Sequence, residues 1–313
     1  VLGFGIHVAG GVGAVISNAK EMPGYLTMFA SHVRETNSST PYSALTIAST
    51  LAWGLGYFGM PHILVRFMAI EDDKKLVLSR RIATIWVVIA MFVAVLIGLV
   101  GYGMTCAGAV EFLDSPSRAE EIIIKIANLI SQHGILAAIV AGLILAGILA
   151  ATMSTADSQL LVTASAVSED LYHNFIKKDA DSKEILRVSR ITVIVIAIIA
   201  FAIAWDPNSS IMGLVSNAWA GLGAAFGPIV VMSLFWRRTN LQGAIAGMVT
   251  GGLTVIIWDY IPLVGGQTLG TYTGLYSLAV GFLLSLVVIV IVSLLTKAPS
   301  KEITDEFDKV AAK

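Results

Sequence analysis

The chain has 313 residues, of which 56% are apolar and only 13% charged, and its mean hydropathy is +0.82. A soluble domain carries about 25% charged residues, so half that share leaves too few charges to cover a water-facing surface. The net charge of −1 offers no basic field for nucleic acid, and a single cysteine, Cys106, excludes an intramolecular disulfide framework and thiolate metal clusters.

The charges are clustered, and between them lie apolar runs long enough to cross a bilayer core of about 30 Å. The first, Val1–Ala19, starts without an initiator Met and without a signal-peptide pattern, so it reads as the end of a span cut from a longer chain. Seven more follow: Ser43–Val65, Ile82–Cys106, Gly134–Ser168, Ile191–Trp205, Ile211–Trp236, Gly243–Trp258 and Tyr272–Leu295. Lipid cannot satisfy backbone amides and carbonyls, so each run is expected to be helical. The alternation that a β-barrel strand needs is absent. The expected fold is an all-α, polytopic membrane helix bundle of about eight transmembrane segments.

The loops alternate in charge. Arg66–Arg81, Lys177–Arg190, the pair Arg237 and Arg238, and the tail bearing Lys297, Lys301, Lys309 and Lys313 are basic. Asp206–Ser210 and Asp259–Thr271 carry no Lys or Arg. By the positive-inside rule the basic stretches, and with them the C-terminus, are cytoplasmic. The tail, 296–313, reads as short, charged and solvated. Between the third and fourth runs, Ser117 precedes Glu120 by three residues, a capping-box spacing. Ile122, Ile123, Ile126, Leu129 and Ile130 follow at helical spacing, which predicts an amphipathic helix over Ser117–Gln132. It is either a surface helix packed on the bundle or a lid over an outer vestibule.

Two runs are interrupted. In the second, Gly54, Gly56, Gly59 and Pro61 fall within eight residues. Within a continuous helix Pro61 would leave the carbonyl of Tyr57 unpartnered, and Trp53, Tyr57 and Pro61, four residues apart, would form one stripe. Broken backbone at membrane depth lines a cavity or is buried, so this is either a kink for close packing or a site for a small, partly apolar zwitterion. In the fourth run, Ala151, Ser154, Thr155 and Ser158 share a helix face. Such hydroxyl faces glue membrane helices together or give oxygen ligands to a hard cation. Asp157 is the only formal charge between Gly134 and Ser168, a default pointer to an ion or proton pathway. Arg66 reads as a topology anchor or gate partner. The chain has no phosphate-binding loop, no H-E-x-x-H and no nucleophile–base pair, so an enzyme is not expected. The glycines of Gly221–Pro228 read as close helix packing.

Three stretches carry a family resemblance: Trp53-Gly54-Leu55-Gly56-Tyr57-Phe58-Gly59-Met60-Pro61-His62-Ile63-Leu64-Val65-Arg66-Phe67-Met68-Ala69; Ala150–Thr155 with Ser168-Glu169-Asp170-Leu171-Tyr172; and Ser233–Arg238 with Gly243, Ala244 and Gly247. Together they resemble the sodium:solute symporter family, the first most narrowly its bacterial sodium/proline symporters. The resemblance implies a partial LeuT-like inverted-repeat fold: the end of a first repeat over 1–19, a second repeat over 43–236, two additional helices over 243–295 and a cytoplasmic tail. It implies sodium-coupled symport of L-proline or a similar small solute, such as a sugar, a carboxylate or pantothenate, across a bacterial cytoplasmic membrane. A transporter-like solute sensor is the other class to weigh. Sodium is then the coupling ion, with no cofactor. Trp53, Tyr57 and Pro61 would line the solute site, and the Ala151 carbonyl with the Ser154 and Thr155 hydroxyls would give half of a sodium site. The outer lid is placed by the same resemblance. Met60 stands where proline carriers have glutamine, and Asp157 where some relatives have a neutral residue.

Overall fold

The computed structural model describes residues 1–72, 74–206 and 210–311. In chain order come α1 (Leu2–Val8), α2 (Val12–Lys20), β1 (Ala30–Val33), β2 (Ser38–Pro41), α3 (Ala44–Ala52), α4 (Pro61–Met68), α5 (Lys75–Cys106), α6 (Pro116–Ala119) and α7 (Ile122–Ser131). There follow α8 (Ile135–Ser165), α9 (Ser182–Ile203), α10 (Ile211–Phe235), α11 (Leu241–Tyr260), β3 (Pro262–Val264), β4 (Gln267–Thr268), α12 (Leu269–Thr273), α13 (Ser277–Leu295) and α14 (Lys301–Ala311). The strands form two separate two-stranded sheets. The fold is therefore an all-α bundle with small strand pairs in its loops. Among the described residues six helices are long and apolar enough to cross a membrane: α5, α8 with its continuation to Ile176, α9, α10, α11 and α13. The protein is a multi-pass membrane protein. Nothing in the apolar windows of α5 and α9 is buried, and Trp86 and Phe92 stand among the exposed side chains of α5. Lipid tails match such a surface, whereas water would not.

The two remaining apolar runs are not continuous spans. α1 and α2 meet at a 75° bend where Gly10 and Gly11 take φ of +90° and +100°, backbone values that an L side chain resists. That pair counts as one broken span, giving up to seven. The second run is α3, a 3-10 segment over Trp53–Gly59, an extended Met60, and then α4. The eight expected spans thus become six uninterrupted helices and two broken runs.

The chain forms two compact units, one of Val1–Met28, His32–Ser39 and Ile70–Ile211, the other of Phe29–Ser31, Thr40–Ala69 and the residues from Met212 onward. In the first, Val15, Val100, Met104, Ile126 and Ile130 form a buried core with Ala9 and Ala141. The predicted amphipathic helix is present as α7, which buries Ile126, Ala127 and Ile130. Its predicted cap is wrong: Ser115, not Ser117, accepts from the Arg118 amide and caps α6. Pro116 takes the first helical position, where a missing N–H costs nothing. Glu120 instead accepts from the Ser210 hydroxyl at 2.8 Å and the Ile211 amide at 3.0 Å. Ahead of α6, Glu111 receives Lys125 Nζ at 2.8 Å and Arg118 at 3.1 Å. These two cations hold the exposed Glu111 carboxyl below its ordinary range, the Lys125 hydrogen bond most of all. α8 runs on as a π-helix over Ala166–Ile176, and α9 already starts at Ser182, capped by Asp181. Lys183, Arg187 and Arg190 therefore ride on a helix, and the predicted Lys177–Arg190 loop shrinks to its first few residues.

In the second unit, α11 carries Gly243, Gly247 and Gly251 four residues apart, the first two against α13 and the third against α10. A Cβ on any of them would strike its surroundings: Ser293 or Ile289 from the first two, the Ala224 backbone from the third. Small residues at this spacing let membrane helices approach closely. Buried Asn240 caps α11 through the Gly243 amide at 2.8 Å and donates to the Lys297 carbonyl at 2.7 Å. The tail is more ordered than a solvated strand: α14 forms, and Asp308 receives Arg237 Nε at 2.7 Å and Nη2 at 2.8 Å. Lys313 and residues 207–209 lie outside the described residues.

Candidate functional site

The Gly/Pro interruption is built by packing, not by proline acting inside a helix. Pro61 is the first residue of α4, preceded by Met60 at φ −88° and ψ 109°, so it starts a helix and removes no ladder bond. Buried Gly56 and Gly59 bring the 3-10 segment against α10. A Cβ on Gly59 would lie 2.5 Å from the Leu222 carbonyl oxygen, 2.8 Å from Gly223 Cα and 2.9 Å from the Gly227 nitrogen. At Gly56 the obstacle is the Trp219 indole. The reading of Gly221–Pro228 as a close-packing run therefore holds.

The 3-10 geometry also corrects the expected stripe. With three residues per turn, a four-residue spacing moves about 120° round the axis, so Trp53 and Tyr57 do not share a face. They meet through a third ring. Trp53 stacks on Trp219 at 5.5 Å and on Tyr276 at 6.0 Å, both at 13° between planes. Tyr57 meets Trp219 edge-on at 4.8 Å. The group is pinned by polar bonds: Trp219 Nε1 donates to the Trp53 carbonyl at 3.0 Å, Tyr276 OH to the Ser216 carbonyl at 2.7 Å, and the Tyr276 amide to Ser49 Oγ at 3.0 Å. Tyr57 keeps half its surface exposed. Pro61 is partly exposed, outside these ring contacts. Sequence reasoning missed Trp219 and Tyr276. The available signal was an indole set among small residues, Ala218–Gly221, in a segment already read as closely packed.

The hydroxyl face lies in the other unit, on the regular part of α8. Ala151, Ser154, Thr155 and Asp157 are all exposed. Thr155 Oγ1 donates to the Ala151 carbonyl at 3.4 Å, and Ser158 Oγ to the Ser154 carbonyl at 2.9 Å. Among the described residues Ser154 Oγ has no hydrogen-bond partner. Two oxygens 3.4 Å apart subtend roughly 90° at a cation held about 2.4 Å from each, a distance typical of hard-cation oxygen ligation. Asp157 and Arg66 are both exposed, on α8 and α4, and neither forms an ion pair among the described residues.

Residues 1–251 match the sodium:solute symporter family. The chain belongs to the sodium:solute symporter family. It is 46% identical over 259 residues to the osmoregulated proline transporter of Bacillus subtilis, covering 83% of this chain and 50% of that protein. It is 43% identical over 266 residues to a high-affinity proline transporter of the same organism, covering 85% of this chain and 53% of the relative. Against the sodium/proline symporter of Escherichia coli K12 the identity is 42% over 273 residues, or 86% and 51% of the two chains. The chain spans about half the length of the curated relatives it matches. The matched family is one of symporters, and these relatives are named as transporters and not as enzymes.

Proposed function

We propose that this symporter-family chain forms part of a sodium-coupled proline carrier of a bacterial cytoplasmic membrane, with its C-terminus in the cytoplasm. The observation that carries this reading is the agreement between the relatives and the aromatic group. Proline is a zwitterion with an apolar ring and a secondary ammonium, and aromatic faces suit both, the ring by apolar contact and the ammonium by attraction to the π-system. Trp53 and Tyr57 are the proposed solute contacts, with Pro61 fixing where α4 begins. Helix ends also leave carbonyls without intrahelical partners, and the 3-10 segment ends beside these residues.

The proposed sodium ligands from this chain are the Ala151 carbonyl and the Ser154 and Thr155 hydroxyls. On sodium binding, Thr155 would turn its lone pairs from solvent to the ion without moving its backbone. Asp157 and Arg66 are assigned to the ion pathway or gate, α6 and α7 to an outer lid, and residues 43–236 to the second repeat of an inverted-repeat core. Coupling requires that sodium bind more tightly to the state that binds proline.

Sodium-dependent uptake of labelled proline by the whole protein in proteoliposomes tests the proposal. Uptake should require a sodium gradient and be competed by unlabelled proline but not by sugars or pantothenate. Uptake that persists undiminished without sodium defeats the proposed coupling. Competition by another solute class in preference to proline moves the assignment to that solute.

A further inference from the structure

Three consecutive residues leading into α13 are tied to three other helices of the second unit. The Leu275 carbonyl accepts from Trp258 Nε1 on α11 at 3.0 Å. The Tyr276 amide donates to Ser49 Oγ on α3 at 3.0 Å, and the Tyr276 hydroxyl to the Ser216 carbonyl on α10 at 2.7 Å. The hydroxyl of buried Ser277 donates to Asp259 Oδ2 on α11 at 2.6 Å. One turn further on, Leu278 and Phe282 form a buried core with Ala220 and Ala224 of α10. A Cβ on Gly223 would lie 2.9 Å from Leu278 Cδ1, and one on Gly227 2.7 Å from Phe282 Cε2. The start of α13 therefore has no freedom to slide or turn against α10.

Two of these residues are unusual choices for merely anchoring a helix. Tyr276 occupies the cap position of α13 and makes no side-chain cap bond, where Ser, Thr, Asp or Asn would be the ordinary residue. Its side chain instead leaves the helix and lies nearly parallel to Trp53, at 13° and 6.0 Å between ring centres. Asp259 is the second. The loop from Asp259 to Thr271 holds no Lys or Arg, and among the described residues Asp259 forms no ion pair. α12 lies over its carboxylate, since a Cβ on Gly270 would come within 3.1 Å of Oδ1. A partly buried carboxylate without a cation depends on its hydrogen bonds, and a short bond from a hydroxyl to a carboxylate is among the stronger kinds. It fixes the residue next to Tyr276. We propose that Tyr276 is a positioning residue of the solute site, holding the plane of Trp53, and that Asp259, through Ser277, holds Tyr276. This rests on the reading of Trp53 and Tyr57 as solute contacts. α11 and α13, which lie outside the proposed second repeat, then set solute affinity by keeping a contact ring in place before the solute arrives.

The test combines uptake of labelled proline by the whole protein in proteoliposomes with near-ultraviolet circular dichroism of the same purified variants. Tyr276→Leu removes the ring, and KM for proline should rise about tenfold with the maximal rate held within about twofold. Tyr276→Phe keeps the stacked ring and loses only the Ser216 bond, so KM should rise about two- to threefold. Asp259→Ala should raise KM about fivefold, and Asp259→Asn, which can still accept from Ser277, should bring it back to within about twofold of wild type. The dichroism band that Trp53→Phe removes should be altered in Tyr276→Leu and kept in Tyr276→Phe. An unaltered band or a wild-type KM in Tyr276→Leu overturns the proposal. Should that variant fail to fold, Asp259→Ala with a wild-type band, or Asp259→Asn as damaging as Asp259→Ala, overturns it instead. A wild-type protein that takes up no proline defeats the solute reading alone, and the dichroism band still decides whether Tyr276 sets Trp53.

Discussion

The 3-10 break at Trp53–Gly59 and the hydroxyl face at Ala151–Ser158 both interrupt apolar runs, yet they are held in opposite ways. The break is made by tertiary packing. Its glycines touch α10, its carbonyl at Trp53 is bonded by the Trp219 indole, and its tryptophan is stacked on two rings. The hydroxyl face is made by helix periodicity alone, is exposed, and places Thr155 and Ser158 on carbonyls of their own helix. A region of the first kind fails when a neighbour changes. A region of the second kind tolerates truncation structurally and loses only what its oxygens would bind.

The largest effect that separates the two should come from Gly59→Val. Its Cβ would meet three backbone atoms of α10 that have no rotamer to yield. Overpacking of this kind costs about 1–3 kcal/mol and occasionally more. Thermal unfolding in detergent should show a clearly lowered midpoint, and a wild-type midpoint would mean that the break is not set by this contact. The counterpart on α8 is Ser154→Ala with Thr155→Ala. Its unfolding should stay within about 0.5 kcal/mol of wild type, as for other exposed substitutions. The sodium concentration for half-maximal proline uptake should rise at least tenfold, which is about 1.4 kcal/mol. A large loss of stability with unchanged sodium dependence would reverse the comparison.

Trp219→Phe should sit between these. It keeps a ring beside Trp53 and Tyr57 but deletes the bond to the Trp53 carbonyl, a loss of about 1 kcal/mol. Near-ultraviolet circular dichroism should report altered packing of the remaining tryptophans. Smallest of all is the acid response of the loop before α6. Glu111 is held below its ordinary carboxylate range by Lys125 and Arg118. Its contribution is therefore complete above the unfolded value and disappears as pH falls through the lowered folded one. Glu111→Gln should lower stability slightly at neutral pH, and its profile should converge with wild type as pH falls through that acid window. A difference that persists below that window would mean that the side chain acts by something other than its charge.

Much of this was legible in the sequence for one reason: lipid allows few solutions. Apolar length and clustered charge fix the all-α, multi-pass class, because backbone amides in hydrocarbon must pair within their own helix. Periodicity likewise finds the face shared by Ala151, Ser154 and Thr155, since α8 is regular there. The four-residue spacing of Trp53, Tyr57 and Pro61 misleads for the same reason in reverse. It assumes 3.6 residues per turn in a stretch that winds with three. The cap at Ser115 was hidden by a competing Ser117 of the same chemistry, which only the position of Pro116 resolves.

By itself the sequence determined the membrane class, the apolar runs and the residues carrying the family resemblance, all properties of local composition and spacing. Tertiary structure alone decided that the first run bends at Gly10 and Gly11, that the interruption in the second winds as a 3-10 segment, and that Trp219 and Tyr276 join Trp53. Those outcomes depend on which backbones approach closely enough to exclude a Cβ. No local window of residues contains that information.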